Sequence, residues 1–322
     1  MGEKARWAGT IAAIAIAILG TAPEVTSQTL SFATGNPSGL YYPLGGGLAS
    51  IWSRNVDGVN MKAEVTAGSV TNLVQVAKLE SDIGFSQGDS VADAVVGSGK
   101  FPEPMPLLVL GKMYPNVVHL ITIAGSGIDS VADIKNKKVS VGPPGSGNAV
   151  TAWNILTALG IAESDFTVRQ LNYTETSNGL KDGTIDAGFI AVGIGGAAVV
   201  ELATARDISL VSFSDEEMAK ITAHVPAYTA FSVTPGIYRG IDAPVQTPTL
   251  WNLLVVNRSM DEELAYQLLS AVFEHRDELE NISQVAKFII PETARATGPL
   301  PLHPGAKRYY DEIFGSLRQD GN

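Results

Sequence analysis

The chain has 322 residues, with 22 Lys and Arg against 33 Asp and Glu and a formal net charge of −11 at pH 7. This acidic balance argues against nucleic acid as a partner, because binding to nucleic acid needs concentrated Lys and Arg. The chain has no cysteine, which excludes disulfides, thiolate metal sites and cysteine nucleophiles.

The N-terminal residues 1–27 have the pattern of a secretory signal peptide. Lys4 and Arg6 precede an apolar stretch from Trp7 to Leu19, and small residues follow. We expect cleavage after Ser27 and export to the periplasm. An uncleaved membrane anchor is the alternative, but the apolar stretch is shorter than the roughly 20 residues that a spanning helix needs.

Strand and helix patterns alternate along the mature chain, which favours a mainly parallel α/β sheet. In the first part we predict strand Leu30–Thr34, helix Tyr42–Asn55, strand Lys62–Thr66, helix Ser69–Lys78, and strands Ser81–Ser86, Leu107–Lys112 and Val117–Ile123. In the second part we predict strand Val139–Gly142, helix Asn148–Leu159, strand Arg169–Leu171, helix Glu175–Lys181, strands Ala187–Val192, Ile208–Phe213 and Trp251–Val256, helix Asp261–Glu280, and a last helix through Leu317.

Two internal repeats indicate two similar lobes. Residues 31–42 and 140–147 both run from a strand through a loop rich in Gly and Ser into a helix, and residues 81–87 and 184–189 share an Asp followed by Gly-Phe. The first turn of a helix carries unpaired N–H groups and a partial positive charge. We therefore expect each lobe to offer a helix start to an anionic small molecule held between the lobes.

The chain is expected to cross between the lobes twice, near Pro115–His119 and near Ile241–Pro248, and these crossings would form a hinge. We predict that residues 28–118 and 245–322 form lobe 1 and that residues 119–244 form lobe 2. This is the layout of a venus-flytrap binding protein.

Gly, Ser, Thr and Asn residues follow the predicted strands, where ligands of open α/β sheets gather. The candidate ligand-binding residues of lobe 1 are Thr34, Gly35, Ser38, Gly39, Tyr42, Thr66, Gly68, Ser69, Asn72 and Gln87, and those of lobe 2 are Ser146, Gly147, Asn148, Val192 and Gly193. Their hydroxyl, amide and backbone N–H groups suit a carboxylate.

Each candidate also has a purely structural explanation. The glycine loops could be tight turns that merely need glycine, and Ser69 could be a helix N-cap. Of the pair Tyr41 and Tyr42 we expect one ring in the cleft, with Tyr42 preferred, and one in the core. Arg169 could neutralise a ligand carboxylate or lie on the surface. The four histidines lack the spacing of metal ligands, so we predict neither a metal nor a cofactor.

Several segments together resemble the TAXI solute receptors, the substrate-binding subunits of one branch of the tripartite ATP-independent periplasmic (TRAP) transporters. The matching segments span the mature chain in order: Thr34-Gly35, Gly39–Gly46, Glu64–Leu73, Gly84–Asp89, Ser126–Asp133, Val139–Gly147 and Pro301–Tyr310. The resemblance implies a type II periplasmic-binding fold that delivers a small organic acid to a TRAP-type membrane permease.

The resemblance also narrows the ligand, since family ligands include glutamate, glutamine and dicarboxylates such as 2-oxoglutarate. The chain departs from the family pattern at two places. It has Gly35-Asn36-Pro37-Ser38-Gly39 where the family usually has Gly-Gly-Thr-Gly-Gly, and Asn148 where Thr is common. Asn donates through its amide where Thr donates a hydroxyl, so these departures concern ligand choice.

The sequence has no Gly-x-Ser-x-Gly elbow, no Gly-Lys-Ser/Thr phosphate loop and no His-Glu-x-x-His pair. We therefore expect a receptor and not an enzyme. We also expect the receptor to be a monomer. Two alternatives stay open, namely a receptor that signals to a membrane sensor and an enzyme that closes over its substrate on the same two-lobed scaffold.

Overall fold

A computed structural model describes residues 28–319, so the predicted signal peptide lies outside the described residues. The strands are β1 (Gln28–Ala33), β2 (Val59–Glu64), β3 (Ile83–Gln87), β4 (Leu107–Ile123), β5 (Lys138–Ser140), β6 (Thr167–Arg169), β7 (Ala187–Val192), β8 (Ile208–Leu210), β9 (Thr229–Val233) and β10 (Val245–Asn257). The helices are α1 (Tyr41–Asn55), α2 (Ser69–Ala77), α3 (Gly88–Val96), α4 (Gly147–Ala158), α5 (Tyr173–Lys181), α6 (Ala197–Ala205), α7 (Asp215–His224), α8 (Glu262–Glu274), α9 (Arg276–Glu280), α10 (Pro291–Ala294) and α11 (Pro304–Gln319). Across these residues no helix is both long enough and apolar enough to span a membrane.

The strands form one sheet in the order β2-β1-β3-β10-β4-β7-β5-β6, with β8 beside β4 and β9 beside β10. Its two wings are parallel, since β1 pairs with β2 and β3, and β5 pairs with β6 and β7, in parallel. Its centre is antiparallel, because β10 runs against β3 and β4, and β4 runs against β7. The predicted mainly parallel sheet is therefore wrong at the centre, where the strand that leaves lobe 1 lies beside the strand that returns to it.

The two central strands are long because each continues from one lobe into the other. Strand β4 pairs with β10 along residues 107–117 and then with β7 along residues 117–122. Strand β10 pairs with β9 along residues 245–249 and then with β3 along residues 252–256. The sequence predicted one strand on each side of Pro115, but Pro115 lies within β4. It lies next to a register shift, which is the kind of irregularity that accommodates a proline within a sheet.

Each wing of the sheet is covered by apolar side chains on both faces. In lobe 1, one cluster surrounds Phe32 and Trp52, and a second surrounds Leu73 and Val91. Lobe 2 has two further clusters, which lie on the two faces of β7. All six residues of β7 are buried, as expected for a strand covered on both faces. The exact limits of the two lobes remain a prediction.

Several helices differ from the predicted ones for local reasons. The predicted helix Asp261–Glu280 is broken at His275 into α8 and α9. Helix α7 was not predicted, although Ser214 and Glu217 form a capping box at its start, which is a recognisable sequence signal. Helix α3 follows β3 with no loop between them, so no turn residue marks its start.

Candidate ligand-binding cleft

A cavity of about 60 Å³ lies between the lobes. On the lobe 1 side it is lined by Gly35, Asn36, Gly39, Leu40, Tyr41, Ala67, Gly68, Ser69, Gln87, Tyr114 and Asn116, and on the lobe 2 side by Pro143, Ser146, Gly147, Asn148, Asn172, Tyr173, Ala191 and Val192. At roughly 10–15 Å³ for each water-sized group, it has room for a small organic molecule. No Asp, Glu, Lys, Arg or His belongs to this described lining.

Two helices of lobe 1 begin at the cavity wall. Helix α1 begins at Tyr41, after the loop that contains Gly35 and Gly39. Helix α2 begins at Ser69, after Gly68, whose φ of +113° lies in the left-handed region that favours glycine. The Ser69 and Val70 N–H groups have no partner among the described residues, as expected at a helix start.

Two helices of lobe 2 begin on the opposite side. Helix α4 begins at Gly147, and the Ser146 hydroxyl caps it by accepting a 3.1 Å hydrogen bond from the Ala149 N–H. Helix α5 begins at Tyr173, and the Asn172 side chain caps it by accepting from the Glu175 N–H at 3.0 Å. Four helix N-termini, two from each lobe, thus meet at one cavity. Their partial positive charges favour an anion there.

Tyrosine rings form much of the remaining wall. The Tyr41 hydroxyl donates to the Asn252 side-chain oxygen at 2.6 Å, and its ring stacks on Phe85 with 4.9 Å between centroids. The Tyr173 hydroxyl donates to the Ala191 carbonyl at 2.6 Å. Burial raises the pKa of Tyr41, Tyr114 and Tyr173 well above the usual value, because the phenolate would lose its hydration. The wall is therefore uncharged at neutral pH.

The lobes are in direct contact across the cleft, so the structure is a closed one. The Thr71 N–H in the first turn of α2 donates to the Gly145 carbonyl of lobe 2 at 3.1 Å. A Cβ added to Gly147 would collide with the Gln87 amide oxygen and the Ser69 hydroxyl of lobe 1. The absence of a side chain at Gly147 therefore permits this approach.

The chain belongs to the NMT1-like family, whose model matches residues 32–313. Its fold is similar to that of MatC from Rhodopseudomonas palustris, solved with bound malate, at 15% identity over 91% of this chain and 95% of that chain with a TM-score of 0.57. It is also similar to a protein from Bordetella bronchiseptica RB50 at 15% identity over 89% and 98% of the two chains, with a TM-score of 0.55. A putative L-cystine ABC transporter from Listeria monocytogenes matches at 15% identity over 83% and 98%, with a TM-score of 0.51.

These similarities are similarities of fold, and they confirm the predicted two-lobed α/β periplasmic-binding fold. The narrower resemblance of this NMT1-like protein to the TAXI receptors remains a prediction.

Of the predicted ligand-binding residues, nine line the cavity: Gly35, Gly39, Gly68, Ser69, Gln87, Ser146, Gly147, Asn148 and Val192. Six do not line it: Thr34, Ser38, Tyr42, Thr66, Asn72 and Gly193. Contact with a ligand stays a prediction for the residues of the first group.

Among the six residues that do not line the cavity, Thr34 and Ser38 have hydrogen-bond partners outside it. The Thr34 hydroxyl donates to the Glu64 carbonyl at 2.5 Å, and the Ser38 hydroxyl donates to the Asn36 side chain at 2.6 Å. Tyr42 is 38% exposed, and the preceding tyrosine lies in the wall instead.

Gly193 and Arg169 also lie away from the cavity. Gly193 lies behind Leu40, since an added Cβ would come within 2.7 Å of the Leu40 side chain. Arg169 is exposed on β6, where its guanidinium donates to the Val168 carbonyl at 3.0 Å.

Asn72 and Asn148 form equivalent braces inside their own lobes. The Asn72 amide donates to the carbonyls of Thr34 at 2.6 Å and Phe85 at 2.8 Å, and its oxygen accepts from the Thr66 hydroxyl at 2.5 Å.

The Asn148 amide donates to the carbonyls of Phe189 at 2.9 Å and Val141 at 3.3 Å, and its oxygen accepts from the Ala191 N–H at 2.7 Å. Phe85 and Phe189 are the matching residues of the sequence repeat. Both amide hydrogens of Asn148 therefore have partners within lobe 2, and neither is free for the predicted donation to a ligand.

Sequence reasoning did not select several wall residues. Tyr114 and Asn116 lie on β4 where it passes between the lobes, and only the strand register places them at the cleft. Asn172 and Tyr173 could have been found, because Asn172 and Glu175 form a capping box, which marks a helix start.

Proposed function

We propose that this protein is a periplasmic solute receptor that closes two lobes around a small organic anion and delivers it to a TRAP-type membrane permease. The observation that carries the proposal is the meeting of four helix N-termini at a cavity whose described lining has no acidic side chain. Such a site stabilises negative charge through backbone N–H groups, without needing Lys or Arg.

The ligand we propose is glutamate, glutamine or a dicarboxylate of the 2-oxoglutarate kind. The motif resemblance supports this range, and the structurally similar MatC was solved with malate, which is a dicarboxylate. A charge-assisted hydrogen bond contributes about 1.5–3 kcal/mol net. Four or five such bonds, less the cost of ordering the ligand, are enough for micromolar affinity.

A thermal-shift screen of the mature protein from Gln28 tests the ligand class. We expect one or more C4–C6 organic acids to raise the melting temperature by roughly 5 °C at a hundredfold excess over Kd. The matched control for each dicarboxylate is its diamide, such as succinamide for succinate, which lacks both carboxylates and should give no shift. A preference for compounds that lack a carboxylate would contradict the proposed anion site.

We propose that β4 and β10 form the hinge between lobe 1 (residues 28–118 and 245–322) and lobe 2 (residues 119–244), because both strands continue from one lobe into the other. Delivery to a TRAP-type permease is supported by the motif resemblance. We expect cells that lack this protein to lose uptake of the labelled acid identified by the screen. Unchanged uptake, together with a lost transcriptional response to the acid, would favour the sensing alternative.

A further inference from the structure

A buried carboxylate joins the two lobes outside the cavity. Asp89 lies in the first turn of α3 in lobe 1 and is 3% exposed. Its Oδ2 accepts hydrogen bonds from the Tyr228 hydroxyl at 2.6 Å and the Thr151 hydroxyl at 3.1 Å, both from lobe 2. Its Oδ1 accepts from the N–H of Ser90 at 2.6 Å and from the Ser90 hydroxyl at 3.2 Å, within lobe 1.

The lobe 2 partners connect this cluster to the cavity. Thr151 lies on α4, about one turn beyond the helix start at Gly147 that lines the cavity. The Thr151 hydroxyl is also 3.2 Å from the Gln87 side-chain oxygen, which belongs to the wall residue preceding α3. Contacts to Asp89 therefore fix the position of α4 relative to lobe 1, although Asp89 itself does not line the cavity.

The chemistry of Asp89 makes these contacts dependent on closure. Among the described residues no Lys, Arg or His contacts the carboxylate. Burial is the main influence on the pKa of Asp89 and raises it, whereas the hydrogen bonds lower it. A buried carboxylate is costly unless donors satisfy it. In the closed structure lobe 2 supplies two of the donors. When the lobes separate, water must replace those two hydroxyls.

We propose that Asp89, Thr151 and Tyr228 form a latch that populates the closed conformation without ligand, and that Asp89 is thereby a positioning residue for ligand binding. Free energy from lobe-to-lobe contacts shifts the population of the binding-competent state, and ligand affinity changes with that population. The latch goes beyond the proposed function, because it does not depend on which ligand fills the cavity.

Distance measurement between the lobes tests the latch. Because the chain has no cysteine, Lys78→Cys and Ala219→Cys give two unique spin-label sites, both exposed, one on each lobe. In ligand-free protein we expect a closed population in the distance distribution measured by pulsed electron–electron double resonance. Tyr228→Phe should lower the ratio of closed to open molecules roughly tenfold, the effect of losing one hydrogen bond to a charged group. Asp89→Ala removes both hydrogen bonds between the lobes and should lower the ratio at least as much.

Matched variants distinguish an effect on closure from an effect on the stability of the fold. Thr151→Val removes the donor and should favour the open state, while Thr151→Ser retains the hydroxyl and should restore closure. Ser90→Ala removes a hydrogen bond to the same carboxylate from within lobe 1, so it should leave the distribution close to that of the wild type.

Two results would overturn the latch: a wild type with no closed population in the absence of ligand, or unchanged distances in folded Asp89→Ala, Tyr228→Phe and Thr151→Val variants. A failure of every organic acid to bind would overturn the proposed ligand class, yet it would leave these distances unaffected.

Discussion

The helix starts of α2 and α4 face each other across the cleft, but the backbone N–H groups of their first turns are paired in different ways. Helix α4 has its own side-chain cap, because the Ser146 hydroxyl accepts from the third residue of the helix. Helix α2 follows Gly68 and has no side-chain cap. Its Thr71 N–H is satisfied by the Gly145 carbonyl of lobe 2. The start of α4 is therefore capped within lobe 2, whereas one N–H at the start of α2 gains its partner from the opposite lobe.

The strongest test of the likeness between the lobes is removal of the two braces. Asn72→Ala or Asn148→Ala leaves two carbonyls and a donor without their partner in a buried site, and we expect each variant to lose roughly 3–5 kcal/mol of unfolding free energy. Urea denaturation of the ligand-free protein measures this. Losses below about 1 kcal/mol in both variants would mean that water replaces the braces.

Acid should destabilise the fold through His119, which is buried in the strand that enters lobe 2. Its ring nitrogens lie 3.0 Å from the Ile190 carbonyl and 2.9 Å from the Tyr238 hydroxyl, and burial lowers its pKa from 6.5 to about 4. The unfolded chain binds the proton more tightly, so stability is complete above pH 6.5 and falls as the pH approaches 4. The loss is about 3 kcal/mol between pH 7 and pH 4.

Denaturation of wild-type protein and of His119→Gln at the two pH values isolates this contribution. The difference in stability between pH 7 and pH 4 should be smaller in the variant by about 3 kcal/mol. His224→Gln, at an exposed position, is the control and should keep the wild-type difference. An equal pH dependence in His119→Gln and wild type would contradict the assignment.

The close approach of the two helix starts can be blocked directly. In Gly147→Ala the added Cβ would collide with Gln87 and Ser69 of the other lobe. We expect roughly 10- to 100-fold weaker binding of the acid found in the screen, from an overpacking cost of 1–3 kcal/mol. Gly46→Ala, in an exposed turn of α1 with open space around it, should leave affinity unchanged. Calorimetric titration distinguishes the two variants.

The smallest effect should be the loss of the α4 cap. Ser146→Ala should destabilise the ligand-free protein by about 1 kcal/mol, and Ser146→Gly by a few tenths of that. Denaturation curves for the two variants provide the comparison. Equal losses in both would indicate that the Ser146 hydroxyl matters chiefly through its 2.7 Å bond to the Pro143 carbonyl.

Much of the cleft could be predicted from local sequence because glycine loops and helix starts are local features. Strand Ala187–Val192 was predicted with its observed limits, and helix α2 was predicted to begin at Ser69, where it does. Tyr42 was preferred for the cleft, but Tyr41 lies in the cavity wall and Tyr42 is 38% exposed. Adjacent residues on a helix point about 100° apart, since a turn has 3.6 residues, and the packing of α1, with Tyr41 stacked on Phe85, decides which ring faces inward.

The remaining differences come from contacts between residues far apart in the sequence. The antiparallel centre of the sheet depends on the pairing of β4 with β10, and no local pattern encodes that pairing. The braces are similar, because the Asn72 and Asn148 side chains each donate to one carbonyl about 40 residues away, that of Thr34 or of Phe189. A polar residue beside a glycine loop looks the same in the sequence whether it meets a ligand or the backbone.

The bond from Thr71 to Gly145 gives the molecule a built-in reporter of its own motion. This N–H is covered only while the Gly145 carbonyl of the opposite lobe lies against it, so its deuterium uptake should follow the time that the lobes spend apart. The neighbouring Asn72 N–H donates to Gly68 within the same lobe and should exchange independently of that motion. The ratio of the two exchange rates would record opening in unlabelled protein, before any solute has been identified.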